Sequence, residues 1–599
     1  MVLRAWVVAH LLNASVPCPL CLGATAMQQD CVLLAIFLVC AAFSLFFRSY
    51  LLQLPFLLLT IALLIAHAID SVVLLTLSQR LYVFDMLKFG KELGATWEFA
   101  LIFLHTGAGK IFGAIGVLAV LLVGCLLIPR PRRPRLGGAL LAAAAVAFAF
   151  GLWQPSTMAY IHAEVLQNVL AVNLDLNTDR AYSAAFIADV KRNLKPESPI
   201  CRDANANTTR PNILYVLVES LSMHHSQLFS GARDLTPNLD SIARQYTYLP
   251  DFYANGFATD AGLIALLTGR PPIPAIGHYQ SHDAFRGFDD PTNALPDVLH
   301  RESYDVNFFT TGDLAFLDKA TWLRALHFDH FEGAENSYYE GWKRRHFNAA
   351  EDKALYQRFL QWLDQRTPGS PWFSMLLTVS THPPFINPEN EQPDEPGAFR
   401  YADAQIGMLF QELKKRNFFD NGILLISGDH RSMTPLLAQE QVQFGNSALA
   451  RVPMVIATNL PMQHGSMPGA FQQTDLITSI ENVTGMAFCH TPEQGIFLGE
   501  HPTPPTYIEH ARGDRRDRLA IYFTDVDAKS HEGDIVLSGD ASHWIGDRPD
   551  DWQQIMLRVA ADRIKRGGDA ENGLDYVIGI YFPRTPAAAP VKPSPRQSQ

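Results

Sequence analysis

The first quarter of the chain consists of apolar runs near the length that crosses a bilayer, and this limits the available folds more than any other feature. Residues 31–47, 51–68, 111–129 and 137–153 carry no Asp, Glu, Lys or Arg. About 20 such residues span the hydrocarbon core. The second run extends, less strictly, to Leu77. Residues 5–22 form a weaker run, broken by Asn13 and Pro17, which we count as a first span. The spans that follow it argue against a cleaved signal peptide. The expectation is a bundle of about five transmembrane helices over residues 1–154.

Loop charges orient that bundle. Arg130, Arg132, Arg133 and Arg135 crowd one short connection, Arg48 lies in another, and Arg4 precedes the first run. Positive loops stay in the cytoplasm. With about five spans, these arginines lie inside and everything after Trp153 lies outside. The protein is therefore expected in the cell membrane as a multi-pass chain with an extracytoplasmic soluble part. Residues 79–110 fall on the outer side too, and LYVFDMLKFGKEL within them has the apolar spacing of an interfacial helix.

After Gln154 the composition becomes that of a soluble globule. Residues 155–210 read as linker and juxtamembrane helices, 211–582 as a catalytic domain with a smaller C-terminal subdomain, and 583–599, rich in Pro, Ala and Ser, as a disordered tail. The net charge of −11 and the lack of a basic stripe with interleaved aromatics argue against nucleic acid as a partner. Seven cysteines are present. Cys18 and Cys21 form a CxxC that reads first as packing at a span end and second as a redox or metal pair. Cys201 and Cys489 suit an oxidising compartment if the fold brings them together, which spacing does not decide.

From residue 211, unbroken apolar runs alternate with helical patterns. The runs at 213–218, 306–309, 373–379, 423–426 and 452–457 suit strands buried on both faces of a mostly parallel sheet. Helical patterns cover 239–245, 350–365 and 402–415. The expected fold class is α/β, with a central mixed, mostly parallel sheet. Ligands in such sheets gather at the carboxyl ends of strands. Three strands run into reactive residues there: Glu219, then Ser380-Thr381-His382, then Asp429-His430-Arg431. Singly, each would be a cap more often than a ligand. Together they form a metal-type donor set, in which the carboxylates suit Mg or Mn and the imidazole adds Zn.

The stretch GFATDAGLIALLTG opens a short apolar helix at Thr259. Thr259 or Asp260 reads as an N-cap, worth about 1 kcal/mol. A hydroxyl at a helix N-terminus beside a metal also reads as an activated nucleophile facing an anion site.

The segments PNILYVLVESLS, LTPNLDSIARQ, GFATDAGLIALLTG, STHPPF and SGDHR occur in the order found in sulfatase-like enzymes of the alkaline phosphatase superfamily. With spans preceding them, the chain most resembles the lipoteichoic acid synthase and phosphoglycerol transferase branch. The resemblance implies a sulfatase-like α/β fold in which Glu219, Thr259, Asp429 and His430 hold one divalent ion (Mn or Mg, alternatively Zn), with Thr259 as nucleophile. It also implies that His382 contacts the substrate phosphate or leaving group.

The chain departs from its relatives in places. Sulfatases proper carry a C/S-x-P-x-R motif and paired aspartates after the first strand, where this chain has Thr259-Asp-Ala-Gly and a lone Glu219. The His-Gly…Trp-x-Arg stretch of lipoteichoic acid synthases becomes FTTGDLAFLDKATW, in which Lys319 falls nearest to the arginine. Lysine neutralises a phosphate without arginine's bidentate fork. Phosphoethanolamine transferases carry several disulfides, and the soluble part here has only Cys201 and Cys489.

The expected activity is transfer of a phosphoglycerol-type group from a phosphatidylglycerol-like phospholipid, through Thr259, to a hydroxyl of a glycan or glycerol phosphate polymer. Hydrolysis of a phosphodiester or sulfate ester is the alternative, and a non-catalytic membrane receptor is a third reading. The topology has a direct test. A reporter active only outside the cytoplasm should be active when fused after Trp153 and silent when fused within residues 130–135; the reverse pattern would place the catalytic domain in the cytosol.

Overall fold

Residues 213–218 are buried on both faces, as a strand must be when helices cover both sides of its sheet. They belong to β1 (Asn212–Val218) of an eight-stranded sheet. The other strands, in chain order, are β2 (Thr247–Leu249), β3 (Asp305–Thr310), β4 (His330–Glu332), β5 (Trp372–Leu377), β6 (Gly422–Gly428), β7 (Met454–Ala457) and β8 (Gly465–Ser466). This computed structural model describes residues 30–47, 49–77, 80–82, 133–152, 182–196, 198–205, 210–274, 284–367, 369–513, 516–523 and 532–566, plus isolated positions between 113 and 173. The CxxC, most of 79–110, the runs at 5–22 and most of 111–129, and the tail 583–599 lie outside the described residues.

In space the sheet runs β8-β2-β7-β6-β1-β5-β3-β4. β7 is antiparallel to both its neighbours, and every other pairing is parallel. The sheet is thus mixed and mostly parallel, and each apolar run expected as a strand is one. Alternate residues of β1 feed two cores. Ile213, Tyr215 and Leu217 pack with the helix Thr259–Thr268 on one face. Leu214, Val216 and Val218 pack with helices Pro237–Gln245, Asp352–Gln365 and Glu395–Lys415 on the other.

The segment TPNLD, singled out in the sequence, serves this packing. Asp403 accepts from the backbone N–H groups of Asn238 and Leu239 at the start of Pro237–Gln245. Asp240 accepts from Ser226 Oγ at 2.6 Å and from Leu228 N at 2.9 Å. These are helix-start contacts that fix the helix on the sheet.

A smaller unit follows. Strands β9 (Tyr507–Ala511), β10 (Arg518–Phe523), β11 (Glu532–Val536) and β12 (His543–Gly546) pair antiparallel in sequence order. Helix Trp552–Lys565 covers them through Ile555 and Val559.

In the N-terminal part, helices Asp30–Phe46, Tyr50–Leu77 and Pro134–Leu152 overlap three of the expected spans. Two of them, over Leu52–Ser71 and Pro134–Gly151, are long and apolar enough to cross a membrane.

Strand Ile200–Arg202 pairs with Phe488–His490, which sets Cys201 directly opposite Cys489, and the two form a disulfide across 288 residues of chain. The pairing that spacing left open is therefore made by a strand that precedes the expected domain boundary at 211. Closing so long a loop removes much unfolded-state entropy. Replacing Cys201 or Cys489 by Ala should lower stability by about 2–4 kcal/mol, read as a lower melting temperature that reductant reproduces in the wild type. An unchanged melting temperature in the variant would show that the bond does not form.

Candidate active site

The strand register brings the reactive strand ends together. Val218 pairs with Gly428 and Leu217 with Leu377, so Glu219, Asp429 and the loop after β5 leave one edge side by side. Ser220 has φ of +58° and turns the chain sharply after Glu219. A Cβ at residue 428 would lie 2.1 Å from the Leu221 carbonyl oxygen, so only glycine lets that turn cross the end of β6.

Glu219, Asp429 and His430 are buried, and one ligand atom from each lies within 4.8 Å of the others. Asp429 Oδ1 accepts from Ser220 N at 2.7 Å and His430 N at 2.8 Å. Its Oδ2 is buried with no hydrogen-bond donor. His430 Nδ1 lies 2.8 Å from the Arg431 carbonyl, which can only accept, so Nδ1 carries the proton. Nε2 therefore faces Asp429 Oδ2 at 3.4 Å and Glu219 Oε1 at 3.5 Å.

The electrostatics match this crowding. Burial and the charge of Glu219 push the Asp429 carboxyl up to about 7. Burial opposes charge on His430, but the neighbouring carboxylates outweigh it and raise the imidazole to about 9. Burial likewise opposes charge on Glu219, yet hydrogen bonding and the charges of His430 and His382 carry its carboxyl well below the usual range. Two carboxylates and an imidazole aimed at one point, with a buried oxygen left without a donor, fit a divalent cation.

Thr259 is the first residue of its helix, and the N-cap position belongs to Ala258, with no side-chain cap. This corrects the cap reading of Thr259 and Asp260. The Thr259 hydroxyl turns away from the helix and donates to Glu219 Oε2 at 3.1 Å. The helix approaches closely because residue 262 is glycine; a Cβ there would sit 2.4 Å from the Asp429 carbonyl oxygen.

His382 and Lys319 border the same cluster. His382 is half-buried, its Nδ1–H donates to the Pro383 carbonyl at 2.7 Å, and burial holds it below its ordinary value against the charge of Glu219. Lys319, half-buried at the start of helix Lys319–Ala325, is lowered by burial; the charges of Glu219, Asp260 and Asp429 act in the opposite sense.

Several contributors carried no sequence signal. Thr378 and Thr381 clamp the backbone of Glu219: Thr378 Oγ1 accepts from its N–H at 3.0 Å, and Thr381 Oγ1 donates to its carbonyl at 2.6 Å. Asp352 Oδ1 accepts from Val379 N and Ser380 N and so holds the loop that presents His382. Gln473 donates to the Asp429 carbonyl at 2.8 Å from behind. Thr381 lay inside STHPPF, whereas Thr378 and Asp352 fell in segments read only as a strand and a helix.

His224, His225 and Glu395 also cluster with metal-ligand spacing. His225 Nδ1 accepts from Ser222 N at 3.1 Å, so its proton sits on Nε2, the atom that faces Glu395. A neutral ring in that state has no lone pair to offer there. Glu395 is already matched by Arg233, and Glu440 beside His224 by Arg431. The cluster is a buried brace behind the site.

Residues 211–486 match the sulfatase family. A phosphoglycerol transferase I from Xanthomonas euvesicatoria pv. vesicatoria is 26% identical over 243 residues, covering 37% of this chain and 34% of the relative. Lipoteichoic acid synthase 2 of Bacillus subtilis is 22% identical over 313 residues, 47% of each chain. The chain thus spans about a third to a half of the length of the curated relatives it matches. Among solved structures, the lipoteichoic acid synthase LtaP from Listeria monocytogenes aligns with a TM-score of 0.47 at 18% identity, over 64% of this chain and 96% of that one.

The donor set makes a separable prediction. Asp429→Ala or His430→Ala should abolish stoichiometric binding of a divalent ion by the folded protein, whereas His382→Ala should leave it intact. Full metal content in both of the first two variants would overturn the assignment.

Proposed function

We propose that this chain, whose residues 211–486 form a sulfatase domain, is a membrane-anchored, metal-dependent phosphotransferase acting outside the cytoplasm. In this reading a phosphoglycerol-type group passes from a phosphatidylglycerol-like lipid to Thr259 and then to a hydroxyl of a glycan or glycerol phosphate polymer. The observation that carries the reading is the Thr259 hydroxyl, at a helix N-terminus, 3.1 Å from Glu219 within a buried donor set suited to a divalent ion. The names of the curated relatives support the class of reaction.

Glu219, Asp429, His430 and the Thr259 oxygen would hold the ion, which when bound lowers the pKa of the hydroxyl and offsets phosphate charge. Thr259 Oγ attacks the phosphorus of the lipid phosphodiester, and its proton leaves toward Glu219, to which the hydroxyl already points. The bond from phosphorus to the diacylglycerol oxygen breaks, and that oxygen takes a proton from water, with His382 on the substrate side of the site. The product of this half is diacylglycerol plus a phosphodiester on Thr259. The acceptor hydroxyl then attacks the same phosphorus, Thr259 departs and recovers a proton, and the group has moved. Backbone N–H groups at the start of Thr259–Thr268 and the ammonium of Lys319 stabilise the charge on the phosphoryl oxygens. The full bundle of about five spans, which keeps the domain beside its donor, is part of this proposal.

Thr259→Ala tests the mechanism cleanly, because Ala258 holds the cap position and no cap is lost. The variant loses the hydrogen bond to Glu219, so it should stay folded with a stability loss of about 1–3 kcal/mol and lose lipid turnover altogether; Thr259→Ser should retain part of it. Mass spectrometry of wild type incubated with phosphatidylglycerol should find a phosphoglycerol adduct on Thr259. Near wild-type turnover in folded Thr259→Ala would sink the proposal, and release of free glycerol phosphate without acceptor would favour hydrolysis.

A further inference from the structure

Contacts from the membrane-side half of the chain land on the C-terminal sheet and its helix. Arg516, just before β10, lies with its guanidinium carbon 4.7 Å from the ring centre of Tyr82. Arg563 on helix Trp552–Lys565 donates to the Tyr182 hydroxyl at 3.2 Å. Asp540 accepts from Ser183 N at 2.8 Å, and Gln554 accepts from Lys195 N at 2.9 Å.

The same unit also grips the segment that leads into Thr259. Ala511 N donates to the Asn255 carbonyl at 2.7 Å. His510 Nδ1–H donates to the Ala254 carbonyl at 2.8 Å. A Cβ at Gly513 would lie 2.4 Å from the Phe257 ring, so glycine is needed for that contact. Arg516 lies 5.1 Å from the Phe257 ring centre as well. One guanidinium therefore links Tyr82 to a residue two positions before Thr259.

Tyr82 is itself fixed in place. The candidate span Leu52–Ser71 ends beside Asp70. Asp70 and Arg80 form a buried two-point ion pair at 3.0 and 2.6 Å, and Leu81 N donates to Asp70 Oδ1 at 3.0 Å. The chain is thereby clamped at the end of the span, where a tyrosine belongs to the headgroup level.

We propose that the C-terminal sheet and helix form a docking platform that fixes the depth of Thr259 relative to the membrane surface, with Arg516 as its positioning residue. This rests on the reading above that the donor is a membrane lipid. A phospholipid's phosphodiester stays at the headgroup level because drawing it outward exposes acyl chain to water. The nucleophile must therefore be held at that level, and the path Leu52–Ser71, Asp70–Arg80, Tyr82, Arg516, Phe257, Thr259 does so through short contacts. A planar guanidinium can contact two rings at once, which an ammonium cannot match.

The test compares two substrates on the full-length protein in membranes. In Arg516→Ala, turnover of phosphatidylglycerol in vesicles should fall about tenfold, the loss expected for one partly desolvated cation–π contact. Turnover of a water-soluble aryl phosphodiester should be unchanged, and Arg516→Lys should restore part of the vesicle activity. An equal fall on both substrates would make Arg516 a local support of the 254–259 segment and overturn the proposal, as would no fall on either. The contact itself is read without activity. Tyr82→Cys with Arg516→Cys, in a background lacking Cys18, Cys21, Cys31, Cys40 and Cys125, should be joined by a short bis-thiol reagent in native membranes. No cross-link would overturn the platform. A cross-link in a protein whose wild type turns over neither substrate would leave the platform standing and defeat the phosphotransferase reading instead.

Discussion

The parallel register of β5, β1 and β6 is the constraint on which the site depends. Val218 opposite Gly428 and Leu217 opposite Leu377 put the residues that follow each strand at one edge of one sheet. A slip of one residue would reverse the facing of every side chain in the strand and exchange the two cores that β1 feeds. Register, burial and site geometry are therefore fixed by the same apolar contacts. The glycines at 428 and 262 complete this constraint, because each lies where another residue's backbone passes too close for a Cβ.

Bringing like charges to that edge is costly, and the surroundings show how the cost is met. Glu219 and Asp429 are buried a few ångströms apart, which raises the Asp429 carboxyl. Backbone N–H groups, the His430 ring and the hydroxyl of Ser220 offset part of the charge. The remaining deficit, an Asp429 oxygen without a donor, is the feature a cation would remove. Beyond the site, Arg431 pairs with Glu440 and Arg233 with Glu395, so these four charges cancel. The two histidine-carboxylate clusters look alike in composition and differ in which ring nitrogen is taken by the backbone: His225 Nδ1 accepts from Ser222 N, whereas His430 Nδ1 lies against the Arg431 carbonyl and turns Nε2 to the carboxylates.

The C-terminal unit links this edge to Tyr82 and to residues 182–195. The contacts of β9 and its following loop with residues 254–257 are backbone hydrogen bonds and close ring packing, which resist small displacements. A site held on one side by a parallel sheet and on the other by this unit has little freedom to shift.

Much of the fold was legible in the sequence. Strands buried on both faces must be apolar throughout, so the runs at 213–218, 306–309, 373–379, 423–426 and 452–457 declared themselves, and the reactive residues after three of them were visible as a break in that pattern. The membrane-length runs were legible for the same reason, since a bilayer tolerates no charge along them. Three things required the tertiary structure. Whether Cys201 meets Cys489 depends on a strand pairing across 288 residues, which no local pattern encodes. Whether Thr259 caps its helix depends on where its hydroxyl finds a better partner, and Glu219 is supplied by a strand forty residues earlier in the chain. The supports Thr378, Asp352 and Gln473 are ordinary polar residues, and their roles arise only from the backbone groups that folding sets before them. Sequence reveals what must be apolar or reactive, because those demands act on each residue alone; which polar groups meet is a property of distances between remote segments, and only the packed chain fixes those.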